Sequence, residues 1–326
     1  MKVVEFLKSL VIPKEMKRYR YMSVLISVII FFLEVYLINW PLTMHIKNLG
    51  PNVKEMYNHL VLTEISESLA DYPHNEQILK EIASLECEVS EGYLKCANLE
   101  KTVDTEEKVE YAVFEREIVF EKDGVTKHLK FIINLNLVNP DEEKIVYDLK
   151  TIPYVDYNEY YQVVLTADRL IFQAHQKGID EEKIEHNGNS LNFQFINYTY
   201  TGYIPEFTLK VNEASARNIG ERILDAIVNA YLKQVSSINL IQLFMLLFIM
   251  PLFIILVSWI LFRSNGKLKT FREYYNIAAI ASIVPILIAF IVVWFLPGAL
   301  DYYPVLFILF CFFALYKINS APDEVY

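Results

Sequence analysis

Three long apolar runs set the terms for this 326-residue chain: residues 22–40 (MSVLISVIIFFLEVYLINW), 238–262 (INLIQLFMLLFIMPLFIILVSWILF) and 275–295. About 20 apolar residues cross a hydrocarbon layer of roughly 30 Å as a helix, and all three runs reach that length. A fourth run, 302–316 (YYPVLFILFCFFALY), is short for a span, but Lys317 can snorkel and the tyrosines at both ends suit the interfaces. At 54% hydrophobic and 21% charged residues, the chain is too apolar for an ordinary soluble domain and too charged for a bundle alone. A composite is expected. The first run has a basic front like a signal peptide, yet it exceeds the roughly 7–15 apolar residues of a signal core. Trp40-Pro41-Leu42 is also no small-residue cleavage site, so the run reads as an uncleaved anchor.

Charge gives the orientation. Lys2, Lys8, Lys14, Lys17, Arg18 and Arg20 precede the first run, and Arg263, Lys267, Lys269 and Arg272 follow the second. Short basic segments stay on the cytoplasmic side, which places both termini inside and residues 43–237 outside. That outer segment holds 19 Lys and Arg against 33 Asp and Glu, so the net charge of −10 is a property of it and not of the bundle. An acidic surface keeps a domain soluble and argues against nucleic acid or anionic lipid as its ligand.

The fold class expected is a membrane α-helical bundle of four transmembrane helices, with an extracytoplasmic α+β domain inserted between helices 1 and 2. Its parts are a cytoplasmic amphipathic basic segment (1–21), span 1 (22–41), the outer domain (42–212), a stalk helix (213–237), span 2 (238–262), a cytoplasmic loop (263–274), span 3 (275–296), an outer loop (297–301), span 4 (302–316) and a cytoplasmic tail (317–326). Residues 3–11 place Val3, Phe6, Leu7 and Leu10 on one helical face before Pro13, as an interfacial helix would.

Within the outer segment, residues 54–85 read as helical with a break at Asp71-Tyr72-Pro73-His74. Alternation then takes over: residues 110–121 and 125–138 flank Lys122-Asp123-Gly124 as a hairpin. Further strands are expected at 145–149, 161–166, 169–173, 191–198 and 204–211. After Asn212, an N-cap, apolar residues recur from Ile219 to Val235, and this helix is expected to run into the second span as a rigid stalk.

Cys87 and Cys96 both lie in the outer segment, where oxidation is permitted. In ECEVSEGYLKC a two-residue turn at Glu91-Gly92 brings them opposite each other, which favours a structural disulfide over two reduced thiols. Cys311 falls in the fourth run. Glu34 is the one acidic residue inside any run, about six residues from its outer end, and intramembrane acids usually meet a partner, a cavity or a path. The plainer alternative is a hydrated side chain, or one paired with Gln242 or another polar neighbour.

The six histidines are scattered without paired ligand spacing, so no metal and no cofactor are expected. Asp141-Glu142-Glu143 and Asp180-Glu181-Glu182 read as solvated turns. Asn197-Tyr198-Thr199 fits a glycosylation sequon of the kind that arises by chance. No nucleophile elbow, phosphate loop or dinucleotide fingerprint occurs, and no catalytic role is expected.

The segments FLKSLVIPKEMKRYRY, LECEVSEGYLKC, FIINLNLV, VVLTADRLIFQ and YYNIAAIASIVPILIAFIVV, in that order, resemble the bacterial membrane family known as domain of unknown function 1189. Its members occur mainly in Gram-positive bacteria and are sometimes labelled maltodextrin-utilisation membrane proteins. The two cysteines and the low basic content of the outer domain depart from that pattern. The resemblance implies an integral membrane protein, similar in bundle to Yip1-type proteins, with no catalytic residues to carry over. The reading expected is a non-enzymatic accessory, sensor or scaffold in the cell membrane. Its partners would be membrane lipid and a protein partner or a homo-oligomer, with no nucleic acid. The alternative is a component of a transport system, possible for carbohydrate uptake, with Glu34, Gln242, Pro251 and Pro285 as hints of a polar path and bent helices.

Overall fold

A computed structural model describes residues 8, 10–55, 57–100, 102–103, 110–111, 113–136, 158–175, 193–264 and 266–320. The chain divides into two compact units, Met1–Leu49 with Val235–Tyr326, and Gly50–Gln234. Four helices are long and apolar enough to cross a membrane: Val24–Asn48, Ala214–Phe262, Phe271–Val293 and Pro297–Ser320. Residues 1–7 and 9, most of the expected interfacial helix, fall outside the described residues.

Helix α1 (Val24–Asn48) buries Ser27, Phe31, Glu34, Val35, Ile38, Leu42 and Ile46, a set spaced by three and four residues that makes one face. Its other face is equally apolar, with Leu25, Leu33 and Tyr36 exposed, as suits a helix that meets lipid on that side. The expected end at residue 41 is passed, and α1 continues to Asn48 with Pro41 buried in its interior. Proline there removes only one ladder hydrogen bond, and helices of a membrane bundle tolerate that loss.

The second unit opens with α2 (Val61–Ser68) and α3 (Pro73–Ser84), which Pro73 starts at a position where its missing N–H costs nothing. A hairpin follows, β1 (Cys87–Ser90) with β2 (Tyr93–Cys96), in the register Cys87↔Cys96, Glu88↔Lys95, Val89↔Leu94 and Ser90↔Tyr93. Glu91 and Gly92 both take positive φ (57° and 82°), the twist a two-residue hairpin turn needs.

A five-stranded sheet then runs in the order β3 (Val113–Lys122), β4 (Val125–Asn134), β5 (Asn158–Thr166), β6 (Arg169–His175), β7 (Phe193–Thr199). All neighbours are antiparallel except β4 and β5, which are parallel. Asp123 and Gly124 make the β3–β4 turn, again with positive φ. Ile118, Phe120, Leu129, Phe131, Ile133, Tyr161, Val163, Leu165, Leu170 and Phe172 alternate onto one face. That face shares a core with Ile78, Leu79 and Ile82 of α3 and with Ile219, Ile223 and Ile227 of the next helix, α4 (Ile219–Phe244). Each such side chain, fully buried, contributes about 1.5–3 kcal/mol.

Two strand expectations need comment. Residues 145–149 lie outside the described residues. Residues 204–211 do not form a strand: pairing is reduced to one bridge, Glu88↔Thr208, with Val89 N–H donating to Phe207 O (2.9 Å) and Leu209 N–H to Cys87 O (2.8 Å). Pro205 has no N–H to give, and the N–H groups of Tyr203 and Ile204 are spent on turns back to Thr199 and Tyr200.

Asn212 caps a 3-10 turn, its side chain accepting from Ser215 N–H at 3.0 Å, and α4 follows. Beyond α4 a π-turn (Met245–Ile249) leads into α5 (Met250–Phe262). Pro251 cannot donate to the Leu247 carbonyl, and Met250 N–H bonds five residues back to Met245 O instead. Helices α6 (Phe271–Ala281) and α7 (Ile283–Val293) form one span interrupted at Ser282, and α8 (Tyr303–Ser320) ends four residues beyond the expected 316. Thr270 and Glu273 make a reciprocal capping box that starts α6.

Candidate functional site

Four polar side chains of the apolar spans, Ser27, Glu34, Asn276 and Ser282, meet on the contact between α1 and the α6–α7 span. At one end Ser27 Oγ donates to Asn276 Oδ1 (2.7 Å), and Asn276 Nδ2 donates to Arg20 O (2.9 Å) and Met22 O (2.7 Å). Arg272 adds bonds to Tyr21 O (2.8 Å) and Met22 O (3.0 Å). The carbonyls just before α1 are thus satisfied by α6, so this end is a closed clamp of hydrogen bonds.

Seven residues along from Ser27, on the same face of α1, sits Glu34, only 3% exposed. Because α1 continues to Asn48, Glu34 is near the middle of a 25-residue helix and not close to its end, as expected from the apolar run alone. Ser282 Oγ donates to Glu34 Oε1 at 2.5 Å and also lies 2.8 Å from Ala279 O. A hydroxyl has one proton for these two acceptors, so Ser282 satisfies the carboxyl incompletely. The other oxygen, Oε2, is buried without a hydrogen-bond partner, and the Tyr303 hydroxyl of α8 lies beside the carboxyl. No cation is paired with Glu34 among the described residues.

A pocket of about 460 Å³ lies between α1 and α7, walled by Ile30, Leu33, Leu37, Ile283, Ile286 and Leu287, with Tyr36 at its margin and Glu34 lining it. Leu33, Tyr36 and Leu287 are exposed, so the pocket opens on the outer surface of the bundle. Ser282 stands where it does because the span breaks there: Pro285 cannot donate to the helix. Of the expected neighbours, Gln242 is exposed on α4 and makes no hydrogen bond to Glu34, and the polar neighbour that does is Ser282. Sequence reasoning found Glu34 and missed Ser27, Asn276, Ser282 and Tyr303. Three of these are small or amide side chains inside apolar runs, and that contrast was a usable signal.

In the sheet-containing unit, Cys87 and Cys96 are joined by a disulfide, and Cys87 is fully buried in the core. A cleft of about 390 Å³ lies between residues 203–208 and α4, with Glu206, Arg222, Asp225 and Asn229 on its exposed rim. Near it, the Tyr198 hydroxyl donates to Gln234 Oε1 at 3.2 Å, and burial pushes its pKa up to about 12. Burial also holds the Tyr200 hydroxyl well above the ordinary phenol range.

Three of the histidines make packing contacts. His45 bonds Val293 O and Trp294 O at 3.1 Å each, His59 packs at a tilt against Phe172 (5.2 Å), and His128 stacks on Tyr160 (4.9 Å) and meets Glu117 at 2.9 Å. Among the described residues no group of three His, Cys, Asp or Glu is placed to hold a metal ion. Cys311 is buried in α8. No protein-family model, curated protein or solved structure matches this chain.

Proposed function

We propose that this is a non-enzymatic accessory, sensor or scaffold of the cell membrane, with both termini cytoplasmic and the sheet-containing domain outside, where it binds a partner or ligand. The observation that carries this reading is the cleft beside α4. It is a concave surface on an independently packed domain, with an arginine, an acid and an amide of α4 across from Glu206. Such a rim gives orientation and specificity to a bound polar chain or protein surface.

Gentle-detergent purification of the full chain with mass spectrometry of its companions tests the reading, compared with Arg222→Glu and Asn229→Arg. A stoichiometric envelope protein retained by the wild type and lost from both variants is the expected result. A homo-oligomer alone in all three removes it and favours the second reading, a component of a transport system. That reading draws on Glu34 and on the helix breaks at Pro251 and Pro285, and it requires substrate flux that depends on Glu34 and survives loss of the cleft.

A further inference from the structure

We infer that the Glu34 pocket is a docking site for a transmembrane helix of another protein that carries one lysine or arginine near mid-membrane. The inference rests on the accessory reading, since it assigns that reading a partner-binding site within the bilayer in addition to the cleft.

Three observations carry it. The first is the acid itself, which is buried, is half-served by a shared serine proton, has no hydrogen-bond partner on its second oxygen, and belongs to a residue that lines an open pocket. A carboxyl in hydrocarbon is costly without a partner, and such groups pair with one another, with backbone or with a ligand.

The second is the shape of the opening. Ile30, Leu33 and Leu37 on α1 face Ile283, Ile286 and Leu287 on α7, and residues spaced by three and four on two neighbouring helices form a groove into which a third helix packs.

The third is depth. Basic residues Lys17, Arg18 and Arg20 end just before Val24 and mark one interface. Glu34 lies ten residues farther, about 15 Å along the helix axis, which is about half of a roughly 30 Å hydrocarbon layer. A lipid headgroup amine sits at the interface and does not reach that level. A second copy of this chain cannot supply the cation either, because residues 22–43, 236–262, 274–294 and 302–316 contain no lysine or arginine. What remains is a basic side chain borne at mid-span by a different protein.

The full chain in lipid nanodiscs, titrated with synthetic polyleucine transmembrane helices, tests this. One peptide carries a single central lysine, one carries none, and one carries its lysine at the end. The central-lysine peptide is expected to bind about tenfold more tightly than the other two, and Glu34→Gln is expected to abolish that preference while leaving the all-leucine affinity unchanged. Ser282→Ala, which leaves the carboxyl in place, is expected to keep the preference. Equal binding of the three peptides, or a preference that survives Glu34→Gln, overturns the inference. Binding of dodecylammonium at Glu34 without any preference among the helices also overturns it, in favour of a small amphiphilic amine. Thermal unfolding of each variant shows whether it is folded. The cleft variants are read separately, so failure here leaves the accessory reading standing.

Discussion

At Gly220 two residue-level effects compete. Glycine in a helix is less favourable than alanine by about 1 kcal/mol, so Gly220→Ala in α4 would stabilise an isolated helix. In this chain, however, a Cβ at position 220 would overlap the carbonyl oxygen of Leu62, and a backbone atom cannot step aside by changing rotamer. The clash is therefore expected to win, with a net loss of about 2–3 kcal/mol in the sheet-containing unit. Thermal unfolding of the full chain, followed by near-ultraviolet circular dichroism, measures it; an unchanged or raised midpoint would mean that α4 and α2 are not in close contact. Nothing in the sequence around Gly220 announces this contact, because the carbonyl it meets is far away in the chain. Glu34 is the opposite case: a lone acid in an apolar run is conspicuous, while its partner Ser282, 248 residues away, is not.

The elements show why local patterns were readable and distant pairings were not. The β1–β2 hairpin follows from spacing alone, since a two-residue turn at Glu91-Gly92 fixes every pair outward to Cys87 and Cys96. Residues 204–211 alternate in the same manner, yet they make one bridge, because Pro205 and the preceding turns consume the N–H groups a strand would offer. The parallel pairing of β4 with β5 was not legible either, for it depends on a crossover and not on any neighbouring residues. The hairpin makes a prediction of its own. Replacing Cys87 and Cys96 together by serine removes the closure of a short loop, worth about 2–3 kcal/mol in the chain-entropy account. The stability of the sheet-containing unit should fall by that amount, and reductant should lower the midpoint of the wild type but not of the double variant. A wild type indifferent to reductant would show that the bond contributes nothing to stability.

For the whole molecule, the length of the apolar runs made the spans legible, although their ends moved: α1 gained the segment through Asn48, and α8 reached Ser320. The ends moved because interface residues such as His45 and Lys47 extend a helix without adding to its hydropathy. Orientation rests on charge, with basic segments before α1 and between α5 and α6, and an acidic segment between α1 and α5. Cysteine labelling tests it cleanly, because Cys87 and Cys96 are bonded to each other and Cys311 is buried. Lys14, Lys210 and Ser264 are all exposed and suit single-cysteine reporters. Lys210→Cys should react with a membrane-impermeant maleimide in intact cells, whereas Lys14→Cys and Ser264→Cys should react only after permeabilisation. The reverse pattern would put the acidic domain inside and the basic loops outside. That would require some force stronger than the charge bias to have set the topology, and it would move the partner sought for the cleft from the envelope to the cytoplasm.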